Sequence, residues 1–134
     1  MSLTLNVQPA QLTGAKSRSI IMHISAVTTN EPITGLAFNT AGILASYQIN
    51  KAARVAITPV TQTVTGAWTS GGFVEIDATN QPGAYRLDVP DAAWASGEQT
   101  DITIWKTAAF YGSALVPVSN FFDVVKVTTV RTNS

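Results

Sequence analysis

The carboxylates between positions 75 and 91 come closest to a chemical site. Glu75 and Asp77 share a face if they lie in a strand, and Asp88 and Asp91 follow beyond the next turn. Asp77, Asp88 and Asp91 could in principle gather around a calcium ion, which takes carboxylate oxygens as ligands. No D-x-D-x-D-G calcium loop occurs, and Arg86 is available to pair across the hairpin. A solvated sheet face without metal is therefore the preferred interpretation.

The chain lacks the residues that other catalytic motifs require. His23 is the only histidine and cysteine is absent, which excludes multi-histidine metal centres, thiol nucleophiles and disulfides. A Ser-His-Asp triad would have to use His23, and no G-x-S-x-G nucleophile elbow is present. The glycine-rich turn at residues 69–73 lacks the Lys-Ser/Thr ending of a P-loop. We expect no enzyme and no cofactor, and we interpret His23 as an outward or half-buried strand residue.

Aromatic residues raise the alternative of carbohydrate binding, because sugar-binding sandwiches use exposed rings. Trp68 lies in a turn region and is the best candidate for an exposed ring. Trp94 lies in a short helical segment and is predicted to plug one end of the core. Trp105 is predicted to point away from the face that Ile102 and Ile104 share. One exposed ring does not make a platform, so sugar binding is the second interpretation.

Phe110 and Tyr111 form an adjacent aromatic pair followed by Gly112. The pattern places this pair in a loop between two strands, where aromatic residues often anchor contacts with a partner. The alternative is a loop that folds back and caps the core.

Turn residues recur about every ten positions, with β-branched and aromatic runs between them, which predicts an all-β, antiparallel β-sandwich. One short helix is expected near 91–96, after Pro90 and before Gly97. A turn is expected at Asn80-Gln81-Pro82-Gly83. The predicted strands, seven to eight in the sandwich, are 19–27, 36–38, 44–49, 54–60, 73–77, 84–89, 101–107 and 116–127.

Composition indicates what kind of partner the chain has. Of its 134 residues, 46% are hydrophobic and 12% charged, with 8 basic and 8 acidic residues. The zero net charge argues against nucleic acid and anionic membranes as partners. Low charge opposes association only weakly, so a subunit of an assembly is expected. Neither a secretory signal nor an apolar run of about 20 residues is seen, so synthesis in a cytoplasm is expected.

Two segments resemble a recurrent small domain of tailed-bacteriophage and prophage virion proteins. In "ITGLAFNTAGILASY" (33–47), a T-G-L-x-F segment precedes a strand that ends in A-S-Y. "GGFVEIDATNQPGAYRLDVPDAAWASGE" (71–98) contains the pattern IDATN-x-PG-x-YR-x-D-x-P before a small helix and a glycine. The match, from residue 33 to residue 98, spans about half of the chain. The resemblance implies an immunoglobulin-type β-sandwich with a structural or adhesive role.

The resemblance also implies a domain organisation and a location. We expect an N-terminal arm at 1–15, a β-sandwich at 16–127 and a C-terminal tail at 128–134. In the similar proteins the domain is often one module among several, whereas here it carries two added ends. This favours a multi-copy capsid decoration or cement protein located in the virion. It would dock on the major capsid protein, or on another virion protein, through its termini and loop tips. The alternatives are a tail, baseplate or fibre adaptor, or a module that binds host-surface carbohydrate.

The expected contact residues follow from that hypothesis, together with the exposed ring considered for sugar binding. They are Leu3, Leu5, Val7, Leu12, Trp68, Phe110, Tyr111, Val130 and Arg131.

Overall fold

The structure is a computed structural model that describes residues 11–96 and 98–119. Its strands are β1 (Gln11–Leu12), β2 (Ser19–His23), β3 (Ser25–Ala26), β4 (Leu44–Ile49), β5 (Val55–Ile57), β6 (Phe73–Asp77), β7 (Gln81–Asp88), β8 (Gln99–Lys106) and β9 (Phe110–Ser119). A single-turn 3₁₀ helix spans Asp91–Trp94. Over these residues, no helix is long and apolar enough to cross a membrane.

The strands form two sheets that pack face to face as a sandwich, so the predicted all-β fold is confirmed. The large sheet has the order β1-β9-β8-β4-β5, with β3 also pairing with β9, and the small sheet has the order β2-β7-β6. Neighbouring strands are antiparallel except β1, which runs parallel to β9. Apart from β1 and β3, these orders correspond to the strand orders B-E-D and G-F-C-C′ of an immunoglobulin-type sandwich.

The core lies between the two inner sheet faces and follows from strand alternation. Ile102 and Ile104 of β8 face inward and are buried, as are Ala45 and Tyr47 of β4, with which they pair. From the small sheet, Phe73 and Tyr85 contribute stacked rings whose centroids are 5.1 Å apart. Trp94 is fully buried, as predicted.

Tyr85 also fixes the long connection between β3 and β4. Its hydroxyl donates a hydrogen bond to the Ile33 carbonyl (2.7 Å) and accepts one from the Leu36 backbone N–H (3.3 Å). Burial raises the pKa of Tyr85 to about 12, so the hydroxyl keeps its proton at neutral pH. Residues 36–38, predicted as a strand, lie in this connection instead, since the backbone N–H groups of Leu36 and Ala37 donate to the side chains of Tyr85 and Thr40 rather than to a neighbouring strand.

Three further predictions about the elements require correction. The run 19–27 is divided at Ile24, where the chain leaves the small sheet and pairs with the large one. The last described strand begins at Phe110 rather than at residue 116. Gln11 and Leu12, assigned to the arm, form β1 at the edge of the large sheet, beside Val118 and Ser119.

The predicted turn at residues 80–83 lies earlier in the chain. Asp77 makes the turn, since its Oδ1 accepts hydrogen bonds from the backbone N–H groups of Thr79 and Asn80, both at 3.0 Å. Pro82 and Gly83 belong to β7, where Gly83 has a φ of +83°. Gly83 is required there because an added Cβ would lie 2.7 Å from Pro32 Cβ.

Gly83→Ala is therefore expected to destabilise the fold by about 2–4 kcal/mol, from left-handed strain together with overpacking. Gly35→Ala is the matched control, because Gly35 has a φ of +85° but nothing within 4 Å of an added Cβ. The control should lose about 1 kcal/mol through backbone strain alone. Urea denaturation measures both changes. Equal losses would show that the contact with Pro32 has no energetic effect.

Candidate binding surface

The outer face of the large sheet carries a row of exposed apolar side chains, here called the aromatic strip. Trp105 on β8 lies directly opposite Leu44 on β4 and Tyr111 on β9. The exposed fractions are 44% for Leu44, 37% for Trp105 and 50% for Tyr111. Directly opposite residues share a sheet face, with Cβ atoms about 4.5–5.5 Å apart. The strip therefore crosses three adjacent strands.

The sequence produces this strip through strand alternation on β8 and β9. Ile104 points into the core, so the next residue, Trp105, points outward. Phe110 and Tyr111 are divided in the same way, since Phe110 is buried and Tyr111 exposed. Consecutive aromatic residues in a strand thus serve opposite purposes, one in the core and one on the surface.

Polar side chains fill the positions that follow the strip on the same outer face. The next row holds two hydroxyl groups on half-buried residues, Thr103 and Ser113, beside the buried Ser46. A third row follows on the same three strands. Its members are Gln48, Asp101 and Leu115.

Asp101 is the one charged residue among the nine positions of these three rows. Desolvation by its neighbours raises the pKa of Asp101 above the usual value for an aspartate. No basic residue occupies any of the nine positions, so the surface is nearly neutral and offers little to an ionic partner.

The predicted contact residues lie in separate parts of the fold. Leu12 is exposed on β1, and Tyr111 lies on the strip. Trp68 is half-buried, and its indole N–H donates to the Arg18 carbonyl at 3.1 Å. Phe110 is only 2% exposed, so its ring belongs to the core and the expected aromatic loop tip is wrong. The others lie outside the described residues: Leu3, Leu5, Val7, Val130 and Arg131.

Sequence reasoning did not include Leu44 and Trp105 among the expected contact residues. Alternation had already placed Trp105 on the outer face, but the row becomes visible only when β4, β8 and β9 are in register. The signal available in the sequence was the combination of Trp105 facing outward and Tyr111 one residue after a core aromatic.

A second polar cluster surrounds Asp88, which is fully buried. Arg86 binds both carboxylate oxygens, with Nε–Oδ1 at 2.8 Å and Nη2–Oδ2 at 3.2 Å. The Ser19 hydroxyl donates to Oδ1 at 2.6 Å. Gln62 Nε2 and the Thr69 backbone N–H donate to Oδ2 at 2.7 and 2.9 Å. The carboxylate thus joins β2 and β7 to the connection between β5 and β6.

Burial alone would raise the pKa of Asp88, but the hydrogen bonds outweigh it. Donation by Arg86, Ser19, Thr69 and Gln62 lowers the pKa below the ordinary value. Arg86 also donates from Nη1 to the carbonyls of Thr63 and Val64. The Asp88 carboxylate is therefore ionised and structural, and its two oxygens already accept five hydrogen bonds.

The calcium set of Asp77, Asp88 and Asp91 is not assembled, and Asp88 is not on a solvated face. Asp77 caps its own turn, and hydrogen bonds from Asn80 lower its pKa. Asp91 accepts a hydrogen bond from the backbone N–H of Ser17 at 2.7 Å. In the part of the chain that the structure describes, no group of three or more His, Cys, Asp or Glu residues could hold a metal ion.

Comparisons with protein-family models, with curated proteins and with solved structures found no match to this chain.

Proposed function

We propose that the chain is a non-enzymatic structural protein of a tailed-bacteriophage virion, a multi-copy decoration protein fastened to the major capsid protein. The observation that carries the proposal is the position of β1. Gln11 and Leu12, which the sequence assigned to the arm, are built into the edge of the large sheet beside β9. Leu12 is exposed there, and Gly14 N–H donates to the Trp94 carbonyl at 2.7 Å.

This geometry suits attachment through the N-terminal arm. A strand at a sheet edge fixes the residues that adjoin the arm. Extended peptides commonly bind partner proteins through main-chain hydrogen bonds and through every second side chain. Leu3, Leu5 and Val7 alternate with polar residues in the arm sequence. A weak contact per copy is sufficient when many copies are linked on one particle, because avidity multiplies the individual affinities.

The experiment replaces Leu3, Leu5 and Val7 together with serine in the full chain. We expect loading onto particles to fall at least about tenfold, equivalent to about 1.4 kcal/mol, while the melting temperature stays unchanged. Shuffling the order of residues 2–10 keeps the composition and should also abolish loading. Ile21→Ser is the control for a general loss of apolar surface, since Ile21 is exposed on the small sheet.

Normal loading of the triple variant would contradict attachment through the arm. Absence of the unmodified chain from purified particles would contradict the virion role altogether. Copy number separates capsid from tail, because a capsid protein is present in hundreds of copies and a tail or baseplate adaptor in far fewer.

A further inference from the structure

We propose that the aromatic strip and the polar row beside it form a binding site for a neutral saccharide. This activity is separate from attachment to a virion and uses a different surface from the arm. The site comprises Trp105 and Tyr111, with the hydroxyl group of Thr103 in the following row.

The chemistry of the two rows matches the two kinds of surface that a sugar ring presents. A pyranose has an apolar face of C–H groups and a rim of hydroxyl groups. Trp and Tyr rings offer large apolar area together with a polar edge, which suits a C–H face. Side-chain hydroxyl groups both donate and accept hydrogen bonds, as sugar hydroxyls require. The strip alone would fit any apolar partner, and the adjacent hydroxyl row is what favours a sugar.

The spacing of the sheet brings both rows within reach of one ligand. Adjacent strands are about 4.8 Å apart, so Trp105 and Tyr111 are close neighbours. Residues two apart on one strand are separated by about 6.8 Å, which places Thr103 one row from Trp105. A sugar residue stacked on the strip would therefore have hydroxyl substituents within reach of Thr103.

Charge decides between classes of ligand. Asp101 is the one charged residue at the nine positions of these three rows, and it lies in the row farthest from the strip. Phosphorylated or sulfated ligands would meet no basic side chain at these positions. A neutral oligosaccharide needs no ionic partner and meets hydroxyl, amide and aromatic groups instead.

The test uses the isolated full chain and three defined probes: cellohexaose, maltohexaose and chitohexaose. We expect saturable binding of at least one probe, with a dissociation constant between about 1 µM and 1 mM and a change in tryptophan fluorescence. Isothermal titration calorimetry gives the constant independently of the fluorescence signal.

Variants assign the binding to the strip. Trp105→Ala and Tyr111→Ala should each weaken binding at least about tenfold, because each removes a stacking surface. Thr103→Val keeps the side-chain shape and should weaken binding about three- to tenfold through loss of one hydroxyl group. Trp68→Ala is the tryptophan control and should bind as the unmodified chain does.

Three outcomes would overturn the proposal. The first is no saturable binding of any probe up to about 10 mM. The second is equal weakening by Trp68→Ala and Trp105→Ala. The third is self-association of the chain that Tyr111→Ala abolishes while no probe competes, which would assign the strip to a second copy. None of these outcomes depends on particle loading, so the virion proposal stands or falls separately.

Discussion

Replacing Asp88 with asparagine is expected to lower the free energy of unfolding by about 3–5 kcal/mol, a large share of the 5–15 kcal/mol typical of a domain. The change leaves the Arg86 guanidinium, 14% exposed, without its anionic partner. The asparagine side chain also has an NH2 donor in place of one carboxylate oxygen, and this donor would face the N–H donors of Gln62 and Thr69. Urea denaturation at neutral pH measures the loss.

The same carboxylate predicts a pH dependence with a definite sign. The pKa of Asp88 is lower in the folded protein than in an unfolded chain, where an aspartate titrates near 3.8. Its stabilising contribution is therefore fully present above that value and is lost as the pH falls through the folded pKa. The unmodified chain should lose stability on acidification below about pH 4, and Asp88→Asn should lose less over the same range.

Asp101→Asn is the matched control, because it makes the same chemical change on the other sheet. The pKa of Asp101 is raised by desolvation, so removing its charge should leave the stability at neutral pH unchanged or slightly higher. Similar losses for the two variants would contradict the anchoring role of Asp88.

The strands could be predicted where alternation is strong. Leu44–Ile49 and Phe73–Asp77 were predicted with the bounds that the structure has, because their inward residues alternate with outward ones between clear turn signals. The turn before β7 was misplaced because Pro82 and Gly83 normally mark turns. Here they open a strand, ahead of Ala84, the first residue of β7 that pairs with β2.

The surroundings of Asp88 could not be predicted, because they depend on contacts between distant parts of the chain. Ser19 and Gln62 lie 69 and 26 residues away from Asp88 in the sequence. Periodicity places Asp88 on the outer face of β7, which would ordinarily be solvated. The connection between β5 and β6 covers that position, and no local pattern shows where a long connection will pack.

The candidate site likewise depends partly on local alternation, which the sequence contains, and partly on contacts between distant strands, which it does not. Alternation alone directs Trp105 outward and separates Phe110 from Tyr111. The pairing of Leu44, Trp105 and Tyr111 depends on strand order, which periodicity does not contain. This is why Trp68 was preferred as the exposed ring, although its indole N–H is bonded to the Arg18 carbonyl.

Trp94→Ala is expected to lower the free energy of unfolding by about 3–5 kcal/mol, and the melting temperature by roughly 10–20 °C. Trp94 is fully buried, and a cavity of this size cannot be filled by the rigid strands around it. The helix that carries it is also tied to its neighbours, since Thr100 Oγ1 donates to the Ala93 carbonyl at 2.6 Å. Thermal unfolding followed by circular dichroism measures the change.

Trp105→Ala makes the same substitution on the surface and should cost about 1–2 kcal/mol, because the ring is already partly exposed. The two variants distinguish a tryptophan that stabilises the fold from one that binds the ligand. If Trp105→Ala keeps the fold and loses saccharide binding, the strip is a binding surface that the fold does not need. If Trp105→Ala unfolds as readily as Trp94→Ala, the Trp105 ring stabilises the fold, and the aromatic strip is not a separate binding surface.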